Sequence, residues 1–163
     1  MEEIILDDRK FYEYDNSSSR IEYTSKDNKN SLVISFSRVD IDDPHSWSEC
    51  LKVSVTKKEK PRIKILKTKE SEVFSQMVHL DKRCNNNLTE VMKKPINLGD
   101  GVDKDIAKLI NTARETIVKD AFPLQEQREA EKIAARNREK EQKQKANKML
   151  QSKLAEEMKE FMK

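Results

Sequence analysis

The sequence predicts an α+β protein: an N-terminal antiparallel sheet of about four to five strands, a helical second half, and a long charged C-terminal helix. Three observations predict it. Period-two alternation of apolar residues fills much of the first seventy positions, a helical stripe follows at 103–122, and residues 123–163 combine eleven Lys/Arg with eight Asp/Glu and no glycine. The last segment has helix formers throughout but too few apolar side chains to bury itself. The chain therefore divides into a compact α+β domain over 1–122, with the sheet at about 1–69 and helices at about 71–122, and an extended helical tail over 123–163.

Short strands are expected at Glu3–Leu6, Lys10–Tyr14 and Arg20–Tyr23, separated by Asp and Asn-Ser turns. Over Ser31–Val39, Leu32, Ile34 and Phe36 alternate with Val33, Ser35 and Ser37, the pattern of a half-buried strand. Leu51, Val53 and Val55 alternate with Lys52, Ser54 and Thr56 in the same way. A further strand is expected from Pro61 to Leu66, with Ile63 and Ile65 inward, closing a hairpin with a charged loop. Such a sheet needs a cover for its apolar face. Ile106, Ile110, Ala113, Ile117 and Ala121 supply one at helical spacing, with Asp103 as N-cap. Val73, Phe74, Met77 and Val78 suggest a short helix, although Phe74, Gln76, Val78 and Leu80 also fit a strand. Leu88–Met92 reads as one helical turn before Pro95, and Pro123 as a bend.

In the tail, apolar residues gather at the two ends. Ala130, Ile133 and Ala134 lie near its start, and Met149, Leu150, Leu154, Met158, Phe161 and Met162 near its finish, with none from Arg136 through Lys145. A long self-paired coiled coil needs its a and d positions filled, so the gap argues for a solvated, coiled-coil-like helix ending in an amphipathic patch. Leu150, Leu154, Met158, Phe161 and Met162 are the candidate residues for contact with a protein partner or a second copy. The bland reading is that this patch docks on its own sheet, and a third is that it lies on a membrane surface, with Lys148, Lys153, Lys159 and Lys163 flanking it.

The net charge of +3 conceals a pattern. Residues 1–50 carry −6 and residues 51–69 carry +7. Lys52, Lys57, Lys58, Lys60, Arg62, Lys64, Lys67 and Lys69 form the candidate nucleic-acid surface, with Lys52, Arg62 and Lys64 expected on the solvent face of one hairpin. Such a ribbon neutralises phosphates with little base selectivity; the segment lacks the interleaved aromatics that stack on single strands. The bland reading is an edge hairpin whose lysines deter aggregation. Arg136, Arg138, Lys140, Lys143 and Lys145 offer a second basic surface on the tail.

Other sites are weaker. Asp40, Asp42, Asp43 and His45 resemble a cation cluster, but Asp43-Pro44 also opens a turn and no second carboxylate group completes a site. His45 with Cys50, or His79 with Cys84, lacks paired zinc-type spacing. Trp47 is read as a core anchor. Gly99-Asp100-Gly101 is not a nucleotide fingerprint, and no hydrolase or P-loop motif occurs. No cofactor, metal or catalytic residue is assigned, and no apolar run is long enough to span a membrane. The expectation is a non-enzymatic cytoplasmic binding protein, a small accessory or regulatory factor contacting nucleic acid, with composition compatible with a phage or viral source. The alternative is a structural or assembly protein of a larger complex. A metal-dependent nuclease is third.

Overall fold

The computed structural model describes residues 2–15, 17–43, 46–63, 66–80 and 88–162, and of the side chains at 40–49 nothing is described. The chain separates into two compact units, Met1–Leu124 and Gln125–Lys163.

The first unit is an up-and-down sheet of six antiparallel strands in sequence order: β1 (Glu2–Asp7), β2 (Lys10–Tyr14), β3 (Ser18–Thr24), β4 (Asn30–Asp43), β5 (Ser46–Glu59) and β6 (Lys69–His79). Its register puts one set of alternating side chains on a single face. Ile4 lies opposite Tyr12, Tyr12 opposite Ile21, Ile21 opposite Ile34 and Ile34 opposite Val55. All five are buried. A slip of one residue in any strand would turn this row to solvent, so burial of the face fixes the pairing.

Four to five strands were expected, and the sheet has six. The last strand also starts later than expected, at Lys69. Pro61–Ile63 and Leu66 are outside any strand, and the Leu66 amide donates to the Ile63 carbonyl at 3.1 Å in a turn; Lys64 and Ile65 lie outside the described residues. The sixth strand occupies the stretch read either as a short helix or, through Phe74, Gln76, Val78 and Leu80, as a strand, and the strand reading is the one that holds. A bulge explains the ambiguity: Val55 faces Phe74 while the next residue, Thr56, faces Glu72, which leaves Val73 as an extra, half-exposed residue. That insertion breaks the period of two and sets Val73 and Phe74 side by side, as a helical stripe would.

The cover comes from α1 (Leu88–Met92), the extended segment 93–98 and α2 (Lys104–Thr116). Asp103 caps α2, its carboxylate accepting the Asp105 amide at 2.8 Å. Ile110, Ala113 and Ile117 are fully buried in the same cluster as the sheet residues, joined by Leu88, Met92, Ile96 and Leu98. Arg114 is buried and holds α1 against α2: one guanidinium nitrogen donates to the Met92 carbonyl at 2.9 Å, and Nε donates to Asn111 Oδ1 at 3.3 Å. Asn111 in turn accepts the Ile96 amide at 3.2 Å. The buried guanidinium is thus hydrogen-bonded to a carbonyl and an amide oxygen and lies 3.7 Å from the Glu115 carboxylate, which makes its burial tolerable.

After α2 the helical ladder widens into a π turn over Ile117–Ala121, the Phe122 amide reaching back five residues to the Ile117 carbonyl, and then continues as α3 (Phe122–Phe161). The reason is Pro123. It has no amide hydrogen and its ring crowds the carbonyl four residues back in a regular helix; a π turn opens the ladder at that point. Phe122 is buried and meets Tyr12 edge-on, with ring centroids 6.4 Å apart.

The second unit is the remainder of α3. From Pro123 to Met162 every described side chain is exposed except Gln125 and Ala134, which are half-buried.

Candidate nucleic-acid interface at one end of the sheet

In an up-and-down sheet, alternate turns share an end. The β1–β2 turn (Asp8, Arg9), the β3–β4 turn (Ser25–Lys29) and the β5–β6 connection (60–68) therefore lie together. Backbone hydrogen bonds tie them side by side. The Thr24 amide donates to the Arg9 carbonyl at 2.8 Å, and the Lys60 amide donates to the Lys29 carbonyl at 2.8 Å.

Each turn is built by short polar side chains. Asp7 accepts the Arg9 amide at 2.9 Å, chiefly for which its carboxyl is held below the usual range. Asp27 accepts the Ser25 hydroxyl at 2.5 Å and the Lys29 amide at 3.1 Å, and is lowered in the same way, the hydroxyl contributing most. Asn28 takes a positive φ of 58°, a conformation asparagine tolerates better than most residues. The result is a tight turn that presents Lys26 and Lys29 beside Lys60.

Charge follows this geometry. Across described residues 7–10, 25–29, 57–63 and 66–70 there are ten Lys/Arg and five Asp/Glu. Lys57 pairs with Glu59 at 3.1 Å and Lys58 with Glu70 at 3.9 Å, both in exposed surroundings where such pairs contribute little. Lys26, Lys29, Lys60, Arg62, Lys67 and Lys69 are exposed and in no ion pair among the described residues. The opposite end is acidic by position: Glu2, Glu3, Glu13, Asp15, Asp40, Asp42, Asp43 and Glu49 lie at or near it along the strands, against Arg20 and Arg38. Fourteen-residue strands separate the two ends by roughly 45 Å.

The eight basic residues singled out in the sequence do not form one ribbon. Lys52 lies on the outer face near the middle of β5, opposite Ser37 and Met77, and is exposed. Lys57 stands opposite Leu32, in register with the inward-facing Val53 and Val55, whereas Lys58 is on the other face. Arg62 is in the connection and not on a strand, Lys67 follows it, and Lys69 begins β6 opposite Glu59. Lys64 lies outside the described residues. The expected alignment of Lys52 and Arg62 on one strand face fails because Pro61–Ile63 lie outside any strand. Topology brings in Arg9, Lys10, Lys26 and Lys29, which the sequence reading left out.

A cleft of about 360 Å³ beside the turns is lined by residues including Asp8, Glu22, Asn28 and Lys60. Its two carboxylates oppose an anion inside it, so the cations act from the rim. Phe11 and Tyr23, the aromatics nearest this end, are half-buried and offer no open stacking surface.

The remaining candidates are placed as follows. Leu150, Leu154, Met158, Phe161 and Met162 are all exposed on α3, Phe161 at 90%. Cys50 is buried on β5 and its sulfur lies 3.3 Å from His79 Nδ1 on β6, so the sheet brings Cys50 together with His79. His45 and Cys84 lie outside the described residues, as do the side chains of Asp40, Asp42, Asp43 and Trp47. Among the described residues no group of three His, Cys, Asp or Glu side chains is arranged to hold a metal ion. None of their helices is long and apolar enough to cross a membrane. No protein-family model, curated protein or solved structure matches the chain.

Proposed function

We propose that this chain is a non-enzymatic nucleic-acid-binding protein that holds the phosphate backbone at the basic end of its sheet. The observation that carries this reading is the lateral hydrogen bond from the Lys60 amide to the Lys29 carbonyl, which fuses two lysine-bearing connections into one surface. Cations gathered there release counterions from a polyanion and bind it without reading bases. The absence of an open aromatic surface among the described residues of that end favours contact with backbone over stacking on single-stranded bases. The acidic far end repels the same ligand and so orients it. An accessory role in a nucleoprotein assembly in the cytoplasm is part of this proposal, and Arg136–Lys145 of α3 is a second, weaker basic surface.

The test is binding of duplex DNA and of RNA to the full chain over a salt series. Affinity should fall steeply with salt. Changing Lys26, Lys29, Lys60 and Arg62 together to Glu should flatten the slope of log affinity against log salt by about three to four on duplex DNA, with the melt unmoved because all four are exposed. Lys52→Glu alone, away from this end, should change it little. Lack of binding by the native chain at low salt, or equal binding by the fourfold variant, would overturn the assignment and leave the lysines as solubilising groups.

A further inference from the structure

The gap in the tail's apolar pattern takes on a different meaning once the helix is known to be continuous. Ile133, Leu154, Met158 and Phe161 lie on one heptad frame of α3, in which a and d fall at 130, 133, 137, 140, 144, 147, 151, 154, 158 and 161. These four residues set the frame without reference to the middle, with Leu150 and Met162 on the flanking g and e positions and Met149 outside the seam. The five seam positions in between hold Asn137, Lys140, Gln144, Asn147 and Gln151, whereas half of residues 136–153 are charged. The seam carries amides where its surroundings carry charges. Such amides cost a coiled coil stability and specify its register without preventing pairing.

The residues flanking the seam indicate the occupant. In an antiparallel pair of this helix with itself, the register that sets Ile133 against Met158 and Ala130 against Phe161 also sets Arg136 against Glu157 and Glu141 against Lys148. Each of these charge pairs occurs twice by symmetry. Lys140 then faces Gln151. A parallel pair would set Lys143 against Lys148 and Lys140 against itself. Asn137 against Leu154 is the one mismatch the antiparallel register accepts. The seam is also narrow, two positions in seven, where a helix lying on a membrane needs a broad apolar face.

We infer that α3 pairs with α3 of a second copy as an antiparallel two-stranded coiled coil. The amide-rich seam makes this a dimer that dissociates on dilution. It uses side chains that are exposed in the single chain, Leu154 at 54%, Met158 at 61% and Phe161 at 90% among them. It also gives each assembly two basic sheet ends and raises the avidity for a polyanion, although the pairing stands whether or not the nucleic-acid reading holds.

Sedimentation equilibrium of the full chain without nucleic acid tests this. A monomer–dimer equilibrium is expected, weakened about fivefold by Glu157→Arg and restored by adding Arg136→Glu. Leu154→Asp with Phe161→Asp should abolish the dimer and leave the thermal melt of the sheet unchanged. A monomer at every concentration, a trimer, or indifference to Glu157→Arg, as a parallel pair would show, overturns the inference. So does failure of Arg136→Glu to restore the dimer. A lowered melt in the Asp double variant would mean that the patch packs on its own chain, and would overturn it equally.

Discussion

The tail helix is more densely charged than the sheet unit, about half of its residues against about a third, and the two reach order by different routes. In the first unit, alternating strands and the α2 stripe turn apolar side chains to one interior, where Tyr12, Ile21, Ile34, Phe36, Val53, Ile110 and Ile117 lose essentially all contact with water. Along α3 from Pro123 onward no described side chain is buried. Its order comes from helix propensity, from polar pairs such as Gln125 with Glu129 and Gln127 with Glu131 one turn on, and from whatever it meets outside the chain. Substitutions should therefore be costly in one unit and silent in the other.

The largest effect is expected at the helix that covers the sheet. Ile110→Asp or Ile117→Asp places a carboxylate where the native side chain is fully buried. Loss of more than about 4 kcal/mol follows, enough to unfold a domain of ordinary stability. A circular dichroism melt of either variant checks it. Retention of the native midpoint would remove α2 from the core and dissolve the contrast between the units.

Much of this architecture was legible because its signals are local. Lys10–Tyr14 is a strand with the expected bounds, the strands at Arg20–Tyr23 and Ser31–Val39 each run slightly longer than their apolar alternation, and Asp103 caps α2 as its position before the stripe implies. What escaped was non-local or irregular. Strand β6 was legible only as an alternative to a helix, because the bulge at Val73 interrupts its period of two, and Ile63 with Ile65 mimicked the strand that actually begins at Lys69. The basic end escaped for a different reason. Lys26 and Lys29 are some thirty residues from Lys60, and only the strand order makes them neighbours. Alternation of turns in a meander would have grouped them, had the number of strands been right.

A smaller effect separates the two ends of the sheet. Asp15, in the β2–β3 turn, accepts the Ser17 and Ser18 amides at 2.9 Å each, the Ser17 amide being the main cause of its lowered pKa. A carboxylate whose folded pKa lies below its unfolded value contributes stability above the unfolded value, and that contribution is lost as pH falls through the folded one. Asp15→Asn should remove that part of the acid destabilisation, changing stability at neutral pH within about half a kcal/mol because the site is exposed. Urea unfolding at pH 7 and near pH 3 measures both. An unchanged pH dependence in the variant would mean that this turn holds without its charge.

Two truncations, one costly and one silent, should mark where one unit stops and the other starts. The sequence alone places the boundary at 122/123 and leads one to expect that a chain ending at Asp120 or at Phe122 leaves a folded domain. The structure separates those two cuts. Phe122 and Ala121 are buried, and the Phe122 ring packs edge-on against Tyr12. A chain ending at Asp120 loses both side chains and should fall by about 3–5 kcal/mol, the cost of removing a core phenylalanine. A chain ending at Leu124 keeps them, discards only exposed or half-buried positions, and should melt at the native temperature while losing helical signal and, with it, the dimer. Equal melts for the two truncations would show that Phe122 contributes nothing to the core. A lowered melt for the Leu124 chain would show that the tail supports the sheet after all, and the two routes to order would then be one.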